Sequence, residues 1–222
     1  MGNSLDFSWL GDAVRLIGAG AAMTIFLVVV TALLGTLLSI LGALGRTSRY
    51  AMIRRIVKAY VELIRNTPFL AQLFFIFFGL PSLGIRLDPI VAAIVAMTIN
   101  LAAYGTEIVA AGLAAVPTGQ REAAQALGLR PRLVFVKIVL PQALKIIFPA
   151  LTSQIVIMML ESAVVSQISV RELTYEADLL QARTFLAFET YLVVTLVYLG
   201  LSVALRRLMF AGGRRFIFSG QP

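Results

Sequence analysis

An all-α, polytopic membrane protein is the fold class this sequence predicts, and three observations predict it. Of the 222 residues, 59% are hydrophobic and 14% charged, against roughly 45–50% and about 25% in soluble domains. The apolar residues fall into five runs, each long enough for the roughly 20 helical residues that cross a bilayer. Lys and Arg gather in alternate gaps between those runs, as the charge rule for membrane topology expects. The expectation is one transmembrane domain over 1–222, with spans at about 16–45, 59–80, 90–116, 143–168 and 185–205 and a polar loop at 117–141.

The N-terminal residues carry Asp6, Asp12 and Arg15, with Trp9 placed for a membrane interface. No charge follows between Leu16 and Gly45. A cleavable signal peptide would have a shorter apolar stretch, about 7–15 residues after a basic start, so this acidic start predicts an uncleaved first span. Arg46, Arg49, Arg54, Arg55 and Lys58 precede the second span, in which Glu62 and Arg65 stand three apart and can pair on one helical face. The segment 79–89 reads as a turn. The third span carries Asn100 near its middle and Glu107 nearer its end, and the fourth carries Gln154 and Glu161. A polar segment, 169–184, holds Glu172, Glu176 and Asp178, and the fifth span ends in Arg206, Arg207, Arg214 and Arg215.

Composition also excludes chemistry. The chain has no Cys and no His, which removes disulfides, thiolate and imidazole metal sites, catalytic thiols and histidine bases. The net charge of +8 is read as topological sidedness. A nucleic-acid surface would need one continuous basic stripe, and these residues instead flank apolar spans. Fourteen Lys or Arg lie on one side and only Arg15, Arg86, Arg171 and Arg183 on the other, with Arg65 inside a span. The positive-inside rule then places the N-terminus outside, and the loop 117–141 and the C-terminus in the cytoplasm.

That loop is a basic, largely helical island. Thr118 is expected to cap a helix of about nine residues, and Gly128 to supply the left-handed residue that stops it. Pro131 suits the first position of a second short helix, which Pro141 is expected to end. Between the caps, Ala123, Ala124 and Ala126 make a small-residue face, while Arg121, Glu122 and Gln125 offer polar contacts. An ordinary solvated amphipathic helix would show the same periodicity.

The spacing is more specific. Glu122-Ala123-Ala124, Gly128 six residues after Glu122, then Ile138 and Leu140-Pro141 after nine intervening residues resemble the EAA signature of ABC importer permeases. The resemblance extends to the polar amino acid subfamily through Arg65-Asn66-Thr67-Pro68-Phe69-Leu70-Ala71-Gln72-Leu73, Phe78-Gly79-Leu80-Pro81, Ala103-Tyr104-Gly105-Thr106-Glu107, Val116-Pro117 with Gly119-Gln120, and Pro141-Gln142-Ala143-Leu144. It implies a type I-like importer subunit of five helices whose coupling loop docks on an ATPase through Gly119, Gln120, Arg121, Glu122, Ala123, Ala124, Gly128, Leu140 and Pro141. The partners it implies are an ABC ATPase carrying ATP and Mg, a second permease, identical or related, an extracytoplasmic amino-acid-binding protein and the lipid bilayer of the cell inner membrane. No cofactor is implied in this chain. Two departures stand out. The arginine common three residues after the glutamate matching Glu107 is Ala110 here, and a lysine-containing outer segment of the fourth span reads Leu160, Glu161, Ser162 and Ala163.

An ionisable group inside a span costs about 2.5–3.5 kcal/mol on insertion scales, so it usually faces a cavity or a partner. Glu161 is therefore a candidate for receiving a substrate ammonium or guanidinium, with Ser162 beside it. Acceptance of hydroxyls from Ser162 or Ser166 is its structural alternative. Gln72 and Asn100 are candidates for orienting a polar substrate at mid-depth, in competition with plain interhelical hydrogen bonding. Glu107 is expected to pair with a basic group. The rival reading is a secondary transporter or channel for small solutes, without an ATPase, using Glu107 and Glu161 as ion carriers. It meets no internal inverted repeat and leaves the loop unexplained.

Overall fold

The structure is a computed structural model and describes residues 5–217. Nine α-helices and no strands occur among the described residues. Helix α1 (Leu10–Arg46) is roughly 55 Å long. It runs parallel to α4 (Pro89–Ala114): Gly35 meets Leu101, Ser39 meets Gly105, and Gly42 meets Thr106. This ladder of small residues lets two backbones approach closely where lipid supplies no hydrophobic drive for helix association.

The second span, expected over about 59–80, is bent. Helix α2 (Ala51–Arg65) and α3 (Phe69–Phe74), extended by a π turn at Phe75–Gly79 and a 3₁₀ turn at Leu80–Leu83, meet at an angle of 109°. The cause is Pro68, which offers no N–H and steers Thr67 away from helical dihedrals. Side chains around the break donate to the carbonyls of the last turn of α2 and of Thr67. Asn66 Nδ2 donates to the Glu62 carbonyl at 2.7 Å, Thr67 Oγ1 to Leu63 at 2.9 Å, and Gln72 Nε2 to Ile64 at 2.8 Å and to Thr67 at 3.0 Å.

Two further expectations change. Pro141 does not end a helix: α6 (Pro131–Val134) passes through a π turn at Phe135–Val139 into α7 (Leu140–Glu161), where Pro141 sits in the first turn. The wider π turn just before it leaves room for the ring and for the bond that the ring cannot make. The fourth span also stops being α-helical at Glu161, and a 3₁₀ segment, Ser162–Ile168, leads to Ser169 at φ 65°. The polar segment then forms α8 (Leu173–Thr184), packed so tightly that a Cβ on Gly20 of α1 would come within 2.9 Å of Leu173 Cα. Helix α9 (Ala187–Phe216) is the last element among the described residues. The main core lies among α1, α3, α4, α7 and the 3₁₀ segment, and it includes Leu27, Leu73, Met97, Leu101, Met158 and Val165. Among the described residues, four helices qualify as spans by length and composition, or five with the bent pair taken as one.

Candidate functional site

The loop between α4 and α7 carries helix α5 (Thr118–Ala126). Thr118 is its first residue and not its cap. Pro117 holds the cap position, and no side chain accepts from the first turn. Gly128 does stop the helix, at φ 77°: its N–H donates to the Gln125 carbonyl at 2.9 Å, and the Leu129 N–H donates to Ala124 at 3.2 Å.

Helix α5 is fastened to its own subunit on one side only. Ala124, 3% exposed, packs with Val116, Val134 and Val139. Arg121 Nη2 donates to the Leu113 carbonyl at 2.9 Å, at the end of α4. Gln142 Nε2 donates to Gln120 Oε1 and, at 2.7 Å, to the Ile138 carbonyl. The expected three-alanine outer face is thus split, because Ala124 turns inward while Ala123 and Ala126 stay exposed. Gly119, Glu122, Gly128 and Pro141 are exposed as well, Leu140 is half-buried, and Leu127 is 81% exposed.

The structure brings Gln72 and Asn100 together, with Asn100 Nδ2 donating to Gln72 Oε1 at 3.0 Å. Gln72 spends its own N–H groups on the bend, so the pair braces the broken span against α4. The Asn100 Oδ1 is buried and has no hydrogen-bond partner among the described residues. Glu161 is not joined to this pair by a hydrogen bond, and its Oε2 is likewise buried without a partner among those residues. The hydroxyl alternative for Glu161 is not realised: Ser162 donates to the Met159 carbonyl at 2.6 Å, and Ser166 to Ala163 at 2.8 Å. The Ser162 hydroxyl is therefore turned back into its own helix.

Glu107 is paired, as expected, although the position three residues on is Ala110. The cations come from elsewhere, Arg46 at the end of α1 and Arg65 of α2 at 3.8 Å. Glu62, which the spacing allowed to pair with Arg65, meets Lys58 at 3.6 Å instead. Arg46, Lys58, Glu62, Arg65 and Glu107 line a polar cavity of about 320 Å³ with Tyr104. Sequence reasoning could not assemble it, because the group depends on the bend at Pro68. A second network, this one buried, centres on Glu172. Glu172 accepts from the Tyr175 N–H at 2.9 Å, Tyr198 Oη at 2.6 Å and Thr24 Oγ1 at 3.5 Å. The spacing of Glu172 ahead of a helical segment was the one available signal for its capping role.

Residues 35–217 match the family described as binding-protein-dependent transport system inner membrane component. The chain is 36% identical over 196 residues to the arginine transport system permease protein ArtQ of Bacillus subtilis (strain 168), covering 88% of this chain and 90% of that protein. It is 37% identical over 177 residues to the probable glutamine ABC transporter permease protein GlnM of the same organism, covering 79% and 82%. A crystal structure of an amino acid ABC transporter with histidines is similar at a TM-score of 0.89 and 34% identity, over 96% of this chain and 100% of that one. An inward-facing MetNI methionine ABC transporter shares the fold at a TM-score of 0.65 and 24% identity, over 98% and 100%. With most of its length matched and its backbone shared, this chain belongs to the family of binding-protein-dependent transport system inner membrane components, the permease subunits of ABC transporters.

Proposed function

We propose that this chain is the permease subunit of an importer for polar amino acids or close relatives, driven through α5 by a cytoplasmic ATPase that binds ATP and Mg. The single observation that carries the reading is the one-sided fastening of α5. Ala124, Arg121 and Gln120 tie it to α4 and α7, while Gly119, Glu122 and Ala123 face outward. A helix held this way moves as one piece with two spans and leaves a surface for a second protein. The names of the relatives, which mention arginine and glutamine, support the substrate class.

In this reading 1–222 is one transmembrane domain of the inner membrane, with its N-terminus outside and its C-terminus cytoplasmic. It pairs with a second permease and receives substrate from an external binding protein. ATP-driven closure of the ATPase dimer displaces the coupling loop, and the attached spans switch the cavity between its two openings. The drive requires the ATPase to bind one loop position more tightly than the other, because equal affinity shifts nothing. Gly128 and Leu140-Pro141 act by shaping the loop, and Glu122 and Ala123 by touching the ATPase. Replacing Glu122 by Arg is expected to cut uptake at least about tenfold, equivalent to about 1.4 kcal/mol of coupling, with membrane insertion unchanged. Full uptake and substrate-stimulated ATP hydrolysis in that variant would overturn the docking assignment. Uptake by this chain alone, in vesicles, would favour a secondary transporter.

Within the span, Glu161 is the group we assign to a cationic substrate, because its carboxylate oxygen is buried and unclaimed among the described residues. Asn100 Oδ1 is the accompanying acceptor. Gln72 and Ser162, both candidates from the sequence, spend their donors on the fold and contribute shape. In a competition assay, Glu161→Gln is expected to lose arginine uptake about tenfold or more relative to glutamine uptake. An unchanged ratio would make Glu161 a packing residue.

A further inference from the structure

Helix α2 packs on α1 and α4 along one side and leaves most of its remaining surface uncovered. Its 15 residues cover roughly 22 Å, short of the apolar thickness of a bilayer. At helical periodicity Met52, Ile53, Ile56 and Leu63 share one side, and Arg54, Arg55, Lys58 and Arg65 share the other. Val61 is its only buried residue, while Met52, Ile56 and Leu63 are each more than 60% exposed.

The placement of α2 identifies what covers the apolar side. Gly45, at the end of α1, packs against Val57 and Ile53, so α2 extends a surface on which Leu37, Leu41 and Leu44 of α1 are also exposed. On a spanning helix, such leucines face acyl chains. On the opposite side, Arg49, Arg54 and Arg55 form no ion pair with a carboxylate among the described residues. Instead Arg54 donates to the carbonyls of Ser48, at 2.8 Å, and Arg49. A short helix with one apolar face and one cationic face, at the edge of a membrane domain, has the chemistry of an interfacial element. A second copy of the chain is a poor occupant, because protein interfaces are depleted of charge at their core, and a two-fold contact here would bring like-charged edges together.

We propose that α2 lies in the headgroup layer, with Met52, Ile56 and Leu63 in the acyl region and Arg54 and Arg55 bound to the phosphates of anionic phospholipids, Lys58 adding its charge to that side while it stays 3.6 Å from Glu62. The proposal goes beyond the importer reading and holds whichever face of the membrane the coupling loop occupies. The chain has no cysteine, so an introduced cysteine is unique in this subunit, and a transporter labelled without it gives the background of the partner chains. In the assembled transporter, in nanodiscs of phosphatidylcholine and phosphatidylglycerol, a spin label on Ile56→Cys is expected to be relaxed by oxygen and not by an aqueous nickel chelate. The detergent-extracted transporter is expected to retain phosphatidylglycerol about fivefold or more above its share of the mixture. Arg54→Gln/Arg55→Gln/Lys58→Gln, which keeps helix propensity, is expected to bring that retention to within about twofold of the mixture. A label relaxed by the chelate, a label shielded from both reagents or cross-linked between copies, or unchanged lipid retention in the triple variant would each overturn the proposal.

Discussion

Glu172 concentrates more structure on one carboxylate than any other residue described here. It caps α8 through the Tyr175 N–H and accepts from Tyr198 of α9 and Thr24 of α1, with no exposed surface of its own. Burial is the largest influence on it and raises its pKa above the ordinary 4.5, and the Tyr198 hydroxyl and backbone N–H groups pull partly back. A raised carboxylate pKa means that the folded state holds the proton more tightly than the unfolded state. Its stability contribution is therefore complete below 4.5 and is lost as pH rises through the folded value. Glu172→Gln retains an acceptor for Tyr198 and Tyr175 without a titrating group. Its melting temperature is expected to depend less on pH than that of the wild type above 4.5. Glu172→Leu removes the acceptor shared by the Tyr175 N–H, Tyr198 and Thr24 and is expected to lose about 1–3 kcal/mol, read as a lower melting temperature at every pH.

At the scale of the element, the break at Pro68 decides how α2 and α3 are used. Gln72 supplies donors to the Ile64 and Thr67 carbonyls and an acceptor to Asn100, so it closes the bend and ties it to α4 at once. Asn100 takes part in one of those bonds. Gln72→Leu is therefore expected to destabilise the purified protein by about 1–3 kcal/mol, and Asn100→Leu by about 0.5–1.5 kcal/mol. Denaturation of the two variants in the same detergent provides the comparison, and equal losses would deny Gln72 its role at the bend. Helix existence was legible here, because long apolar runs and Pro and Gly punctuation act locally. The π turn before Pro141 and the 3₁₀ segment after Glu161 were not legible, since each is a compromise between a local preference and the neighbours packed on it.

For the whole molecule, the question is which surfaces meet which medium. The basic residues flank α2, α5 and the end of α9, and the opposite end carries α8 and Phe185, which is 83% exposed. In intact cells an impermeant maleimide is expected to label Phe185→Cys and to spare Ala123→Cys until the membrane is opened. The reverse pattern would invert the orientation. Residue order alone determined the α class, the number of apolar runs, the charge asymmetry and the exposed Glu122 and Gly128, because hydropathy, charge and a left-handed glycine act over a few residues. Only the tertiary structure decided that Ala124 and Arg121 hold α5 to its own subunit, that Arg46 and Arg65 are the cations beside Glu107, and that Gln72 belongs to a bend. These are contacts between residues distant in the chain, and they form only once Pro68 and the small residues of α1 have set which helices touch.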